Sequence, residues 1–416
     1  MKSVWAGMST PDGNEHVLPP IRSESGVHLE GDNGKRWLDT SSGLWNAPLG
    51  FRNQAIADRV QAAFEKSSYG GVFRRTTEYS EDIASRLLNL WDDELYSTLM
   101  YATSGSAAVD LAIKLARRYW DLEGSGRKLV VGLRGSYHGQ TYGSLALSGD
   151  QLLQSRVAAD SRYVRHIPHD DPQLASKFLD SIGSTVAAVF LEPVLGTGTK
   201  IVSEELLEEL FRLREKHGFL IVADEVATGF GRTGVFFASA MWRNRADCVI
   251  TSKALTNGTF AASVVFIADH IRKQFASRTA QFIHGETQAG SIAHIAAIDA
   301  TLDEYERLFK ATQASSPVNN DERLFQTLSK ITELEGPFTH IEGRCRFMTL
   351  EISQNIIFGK GIPGFLEDIQ RRLVERGVYV QLSATGLHFA PAHIFNDKHY
   401  AELETALVDT VKEASA

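Results

Sequence analysis

Phe219-Leu-Ile-Val-Ala-Asp224-Glu-Val-Ala-Thr-Gly-Phe-Gly-Arg232-Thr-Gly234 decides the fold. Phe219 to Ala223 run without a polar break, the pattern of a strand buried on both faces as in a parallel sheet. The run stops at two carboxylates, Asp224 and Glu225, and a Gly-rich turn with one cation, Arg232, follows. In open α/β sheets the ligand lies beyond the carboxyl ends of the strands. The sequence therefore sets an ionised group where a buried ligand would sit. Such a group is costly unless a positive partner meets it.

One partner stands downstream in Cys248-Val-Ile-Thr-Ser-Lys253-Ala254, a second short apolar run that ends at a lysine. A structural ion pair between Asp224 and Lys253 is one reading. The other is a site for pyridoxal phosphate, which needs a lysine for its Schiff base and an acid for its protonated ring nitrogen. Spacing alone leaves both open.

The wider series of motifs is more specific. Asp224–Gly234 and Ser252-Lys-Ala254 are joined by Thr103-Ser-Gly-Ser-Ala-Ala, Ser136-Tyr-His-Gly, Leu191-Glu-Pro-Val and His284-Gly-Glu-Thr. In this order and at these intervals the chain resembles the class III (ω-type) pyridoxal-phosphate aminotransferases over most of its length. The resemblance implies an α/β, fold-type I architecture: a mostly parallel central sheet in a large domain, plus a small α+β domain. The expected division is 1–52 as N-terminal arm and hairpin, 53–305 as the large cofactor-binding domain, and 306–416 as the rest of the small domain.

Composition is that of an ordinary globular protein with ample length for a large core. The 416 residues are 43% hydrophobic and 23% charged, with a net charge of −8. No Lys/Arg run marks a nucleic-acid or polybasic membrane surface, and no apolar stretch is long enough for a bilayer. Cys248 and Cys345 stand far apart, outside any CxxC or Cys/His cluster, so neither a disulfide scaffold nor a zinc site is expected. The expectation is a cytoplasmic protein that binds neither nucleic acid nor membrane. No early strand leads into G-x-G-x-x-G, which argues against a nicotinamide dehydrogenase.

Along the chain, residues 1–20 read as a surface arm and Gly26–Asp39 as a hairpin around Gly31-Asp-Asn-Gly34. Helical spacing marks 53–67, and 77–90 with Thr77 as cap. A strand at 99–102 leads into Thr103-Ser104-Gly105-Ser106 and an Ala-rich helix. The helix start suits a phosphate, and a plain N-cap explains Ser104 or Ser106 equally well. Strands follow at 128–132 and 186–191, a helix at 204–217 closed by Gly218, and a strand within 257–267. Four buried runs end at or near Tyr137, Glu192, Asp224 and Lys253. Beyond them come helices at 292–305, 322–334 (capped by Asp321) and 365–375. Strands are expected at 347–352, 378–381 and 386–390, and 311–320 reads as a flexible loop.

For the site, the resemblance implies Lys253 as Schiff-base lysine and proton carrier, with Asp224 on the ring nitrogen. Ser104, Gly105, Ser106, Tyr137, Glu192, Val226 and Thr287 match cofactor-binding positions, with His138 either among them or a structural hydrogen-bonder. Tyr137 would stack on the ring. Thr287 would reach the phosphate of a neighbouring subunit, making a homodimer with shared sites. Trp45 is a core aromatic or, by resemblance, a pocket residue. The chain departs from the family's pattern at Ala107, where the family has Glu, and at Gly290-Ser291-Ile292. It also departs at His388 in Thr385-Gly-Leu-His-Phe-Ala-Pro391, where many members carry a carboxylate-binding Arg. A neutral His cannot replace that fork. Either a substrate lacks the α-carboxylate, or another arginine such as Arg74 or Arg75 serves. The reaction expected is amine transfer between an amine or amino acid and an aldehyde or ketone. An aminomutase, epimerase or decarboxylase shares Lys253 and Asp224, and a non-catalytic scaffold is the bland alternative.

Overall fold

The computed structural model describes residues 3–11, 17–91, 94–149, 151–311, 321–353 and 361–415. Three strands open the chain: β1 (Ile21–Ser25), β2 (His28–Gly31) and β3 (Arg36–Asp39). Seven more follow: β4 (Tyr96–Ala102), β5 (Leu129–Leu133), β6 (Val164–Ile167), β7 (Val186–Leu191), β8 (Leu220–Asp224), β9 (Cys248–Thr251) and β10 (Ser263–Ala268). Five close the series: β11 (Phe338–Arg344), β12 (Phe347–Ile352), β13 (Val378–Tyr379), β14 (Gln381–Leu382) and β15 (Gly386–Phe389).

The central sheet has the order β4-β10-β9-β8-β7-β5-β6. β9, β8, β7, β5 and β6 pair in parallel, and β10 runs antiparallel to both its neighbours. Every residue of β7, β8, β9 and β10 is buried, as uninterrupted apolar runs require when helices cover both faces. The Glu204–His217 helix shows how such a strand is delivered. Ser203 caps it by accepting from Leu206 N, and its first turn is acidic and its last basic. Gly218, at φ 83°, ends it in the left-handed conformation and turns the chain into β8.

Two smaller sheets stand apart from this one. β1-β2-β3-β13 joins the N-terminal hairpin to a strand from the far end of the chain, and β11-β12-β15-β14 is antiparallel. Val27 and Leu38 from the hairpin share one apolar core with Leu324, Leu350, Leu373 and Leu403.

Several local expectations are corrected. The 378–381 segment is two short strands serving different sheets: β13 pairs with β3 in parallel and β14 pairs with β15. The 292–305 helix runs on to Ala311. Thr77 does cap its helix as expected, through a reciprocal box with Ser80. The cap position of Arg323–Thr332, however, is Glu322, with no side-chain cap bond. Asp321, one residue earlier, accepts from Arg323 N (3.1 Å) at the helix start and is also the centre of ion pairs with Arg323 and the buried Arg346. Residues 312–320 of the expected 311–320 loop lie outside the described residues. No described helix is long and apolar enough to cross a membrane.

Candidate active site

β5, β7, β8 and β9 end around one cavity of about 400 Å³. Its lining brings together Trp45, Ser104, Gly105, Ser106, Tyr137, His138, Glu192, Asp224, Val226 and Lys253. Residues from six separate stretches meet, four of them because the parallel sheet sets the carboxyl ends of β5, β7, β8 and β9 side by side.

Asp224 is the last residue of β8 and is buried. One carboxylate oxygen accepts from Val226 N (3.1 Å), and the other meets His138 Nδ1 at 2.8 Å. His138, not Lys253, is thus the hydrogen-bonding partner that the buried carboxylate required. Burial disfavours the imidazolium, but the Asp224 carboxylate, with Glu192 nearby, outweighs it and holds the His138 pKa above its ordinary value. The remaining ring atom, Nε2, is buried without a partner.

Lys253 follows β9 by two residues and opens a short turn, Lys253–Thr256, at φ 45°. Left-handed backbone at a residue with a long side chain costs of order 1–3 kcal/mol and is characteristic of functional sites. The ammonium has no carboxylate within ion-pair distance among the described pairs, and Nζ stands 4.3 Å from the centroid of the Trp45 ring. Loss of water around the ammonium lowers its pKa from the ordinary value to about 8. Asp224 and Glu192 oppose that shift, and Arg232 adds to it.

Glu192, just past β7, accepts from Tyr137 N (2.7 Å) and Gly196 N (3.0 Å). Burial pushes its carboxyl up, despite His138 and these two amides. The Tyr137 backbone is therefore pinned to the end of the neighbouring strand. Next to it, Gly139 holds φ 119°, and a Cβ there would lie 2.1 Å from Ser106 Oγ. Only glycine lets the Tyr137 turn close against the Gly105–Leu122 helix. At the start of that helix Ser104 accepts from Ala107 N, while the first-turn amides lack intrahelical acceptors and carry the positive end of the helix dipole.

Trp45 comes from the segment after β3. Asp39 anchors that segment by accepting from Ser41 N (2.8 Å) and Gly43 N (2.5 Å). Ser42 Oγ donates to Ala390 O at 2.7 Å. Trp45 itself is left-handed, at φ 62°. His388 does not line the cavity. It is buried behind Trp45, with ring centroids 4.8 Å apart, and burial drives its pKa down to about 3, with Arg232 and Lys253 adding to the shift. Thr287 also lies outside the cavity. It is exposed, and its carbonyl accepts from Tyr69 Oη at 2.6 Å. Among the described residues no arginine lines the cavity. Arg74 and Arg75 lie over Phe73 and Tyr69 and are not in its lining.

Sequence reasoning missed Phe260 and Asn46 in the lining and the partnership of His138 with Asp224. Phe260 carries no signal beyond its place between Lys253 and β10.

The site fits pyridoxal phosphate on its own chemistry. An open helix N-terminus suits a phosphate, and the Tyr137 side chain stands at the wall. A buried Asp backed by a histidine suits a ring N–H, and an unpaired amine suits an aldehyde. The unpartnered His138 Nε2 and Trp45 Nε1 show polar capacity left over at its edges. The volume suits a small organic ligand.

Comparison with known proteins agrees. The profile of the family described as aminotransferase class-III matches residues 9–411. An adenosylmethionine-8-amino-7-oxononanoate aminotransferase of Buchnera aphidicola is 24% identical, over 99% of this chain and 96% of its own length. The gamma aminobutyrate transaminase 2 of Solanum lycopersicum is 29% identical over 72% of this chain and 70% of its own. A solved (S)-enantioselective omega-transaminase from Thermomicrobium roseum superposes with a TM-score of 0.89, at 23% identity over 99% of this chain and 96% of the other. The chain therefore belongs to the class-III aminotransferases and is a pyridoxal-phosphate-dependent transaminase.

Proposed function

We propose that the protein transfers an amino group from an amine or amino-acid donor to an aldehyde or ketone, and that one of its substrates lacks an α-carboxylate. One observation carries the reading. Among the described residues, an amine without an ion pair and a histidine-backed carboxylate share one cavity, and no guanidinium lines it.

Each residue then has a task. The amides of Ser104, Gly105 and Ser106 would hold the phosphate. Tyr137 and Val226 flank the ring, and Asp224 keeps the ring nitrogen protonated, with His138 fixing the carboxylate and adding positive charge behind it. Bound pyridoxal phosphate supplies an electron-poor ring that takes up the electron pair released when the bond beside the substrate nitrogen breaks. Lys253 Nζ would take the proton from the substrate carbon and later give it up again, acting as base and then acid. Its lowered pKa suits that exchange near neutral pH. Glu192 holds the Tyr137 turn in place. Trp45 forms the inner wall for the substrate, with His388 packed behind it as an uncharged support.

The finer organisation is part of the same proposal. Residues 53–305 form the cofactor-binding domain, and 1–52 with 306–416 form the smaller one; the β3–β13 pairing and the shared apolar core support this. The protein works as a homodimer, with Thr287 reaching the phosphate of a second copy. In support, an open cavity of about 1200 Å³ beside the 281–289 segment is lined by Phe73, Tyr101, Phe282 and Ile283. Two free cysteines suit the cytoplasm.

The test is an absorption spectrum of the purified protein during titration with amines and α-amino acids. A visible cofactor band, absent in Lys253→Ala and bleached by simple amines more readily than by α-amino acids, is the expected result. No band after added pyridoxal phosphate overturns the reading.

A further inference from the structure

The loop between the Asp269–Ser277 and Ile292–Ala311 helices sends one carboxylate to the active-site cavity. Both Glu286 oxygens accept from Thr103 N, at 3.2 and 3.3 Å, and Thr103 Oγ1 donates to Glu286 Oε2. Thr103 lines the cavity and immediately precedes Ser104, the cap of the Gly105–Leu122 helix. From the other side, Ser263 Oγ donates to Ser104 O at 2.8 Å. The turn that leads into the helix is thus tied to β10 on one side and to Glu286 on the other.

The backbone around Glu286 is strapped down. Val72 N donates to Ala289 O at 3.1 Å, and Ile292 N donates to Tyr69 O at 2.8 Å. A Cβ on Gly285 would lie 2.6 Å from the Phe73 ring, so the chain beside Glu286 is pressed against that side chain. The carboxylate meets little positive charge there. Among the described residues no lysine or arginine stands within ion-pair distance of it, and the neighbour in that range is His284, whose Nε2 is 3.9 Å from Glu286 Oε1. His284 Nδ1 in turn meets Lys114 Nζ at 3.2 Å. Burial, with Lys114 adding to it, holds the imidazole below its ordinary pKa and outweighs Glu286 and Asp110. A neutral ring gives the carboxylate no counter-charge.

We propose that Glu286 tempers the site's hold on the cofactor phosphate: it fixes the Thr103 turn by hydrogen bonds and, through its charge, weakens the binding of a phosphate dianion at that turn. The proposal rests on the transaminase reading of the cavity. The amides of Ser104, Gly105 and Ser106 and the positive end of the helix dipole favour an anion. Glu286 sets a second anion one residue upstream, and like charges close together disfavour each other. The effect weighs most on the aminated cofactor, which has no carbonyl for Lys253 to bond and is held by noncovalent contacts alone. A site built in this way exchanges that form with solution more readily than one with a neutral residue at position 286.

The experiment uses the full-length protein freed of cofactor, as parent and as Glu286→Gln. Glutamine keeps the side-chain length and an oxygen acceptor for Thr103 N but carries no charge. The probes are pyridoxal phosphate, pyridoxal, which lacks the phosphate, and inorganic phosphate. Pyridoxal phosphate, followed by its visible band, should bind about five-fold more tightly to Glu286→Gln at low salt, the size of one like-charge contact at a partly exposed site. That gap should close in about 1 M sodium chloride, where charges are screened within about 3 Å. Pyridoxal should bind both forms equally, and pyridoxamine phosphate should leave the variant about five-fold more slowly. Unchanged or weaker binding of pyridoxal phosphate, a gap that survives salt, or an equal gain for pyridoxal overturns the proposal. Absence of a cofactor band in the parent counts against the transaminase reading instead. Inorganic phosphate, followed by calorimetry, then still decides the role of Glu286: tighter binding by the variant supports it, and equal, weaker or no binding overturns it.

Discussion

The lowered basicity of Lys253 has a direct chemical readout. Only a neutral amine attacks an aldehyde carbon. At pH 7 a lysine with an ordinary pKa is neutral in about one molecule in 3000, whereas a group of pKa about 8 is neutral in about one in ten. Lys253 therefore holds an advantage of about 300-fold over an ordinary surface lysine before any binding energy is counted. The assay strips the cofactor from the protein and exposes it briefly to pyridoxal phosphate across a series of pH values. Borohydride traps the product, and mass spectrometry measures the labelled peptide. Label at Lys253 should rise with pH and level off above about 8, while surface lysines go on rising to about 10. The perturbation is Asp224→Asn. Its carboxylate favours the charged ammonium, so removing it should move the Lys253 midpoint to lower pH, whatever happens to the amplitude. A parent midpoint near 10, or an upward move in the variant, would refute the electrostatic account.

Replacing Lys253 by Ala should lower amine transfer by about 10²–10⁴-fold or more, the contribution typical of a positioned proton carrier, with the fold intact by circular dichroism. Gly105→Ala sets a Cβ 3.1 Å from both Val226 methyl groups, so cofactor affinity should fall several-fold at nearly unchanged melting temperature. Arg346 is 3% exposed and pairs with Asp321, so Arg346→Ala should cost about 3 kcal/mol in chemical denaturation. Burial raises the Asp321 pKa, but Arg323 and Arg346 outweigh it and hold that carboxyl below the usual range. Its contribution to stability is complete above the ordinary carboxylate pKa and is lost as pH falls through the depressed value. The acid-induced drop in melting temperature should therefore be smaller in Arg346→Ala than in the parent.

The central sheet was legible because a strand buried on both faces has little choice but to be apolar throughout. Val186–Leu191 and Leu220–Ala223 announce themselves in that way, and the chemistry-bearing residues follow at their ends. What stayed hidden depends on distance along the chain. His138 meets Asp224 across 86 residues, and nothing local to either one specifies the other. Asp321 looks like a cap because Asp commonly caps helices; it does accept Arg323 N, but from one residue outside the cap position, and two arginine side chains, one of them 25 residues downstream, share its carboxylate. The 378–382 stretch has the alternation of one strand, yet Val380 is a turning point between two sheets, a matter of tertiary pairing rather than propensity. His388 was matched to a substrate-facing position, and only the packing of Trp45 over it shows that it stands one layer back.

The seam between β3 and β13 has a consequence in time. Trp37 Nε1 donates to Val374 O across 337 residues, and Thr40 Oγ1 donates to Tyr379 O across 339. Ribosomes add about 5–20 residues per second, so the hairpin waits roughly 17–70 s for its neighbour to be made. Through that wait the edge of β3 is an open template for any passing strand. A chain that stops short of Val378 keeps that edge for good. Truncated products should accordingly be found in the aggregated fraction or in the hands of chaperones. A circular permutant that carries the hairpin after the final helix would bring both edges off the ribosome within seconds of each other. Its benefit should appear in the yield of folded protein, with the turnover of each folded molecule unchanged.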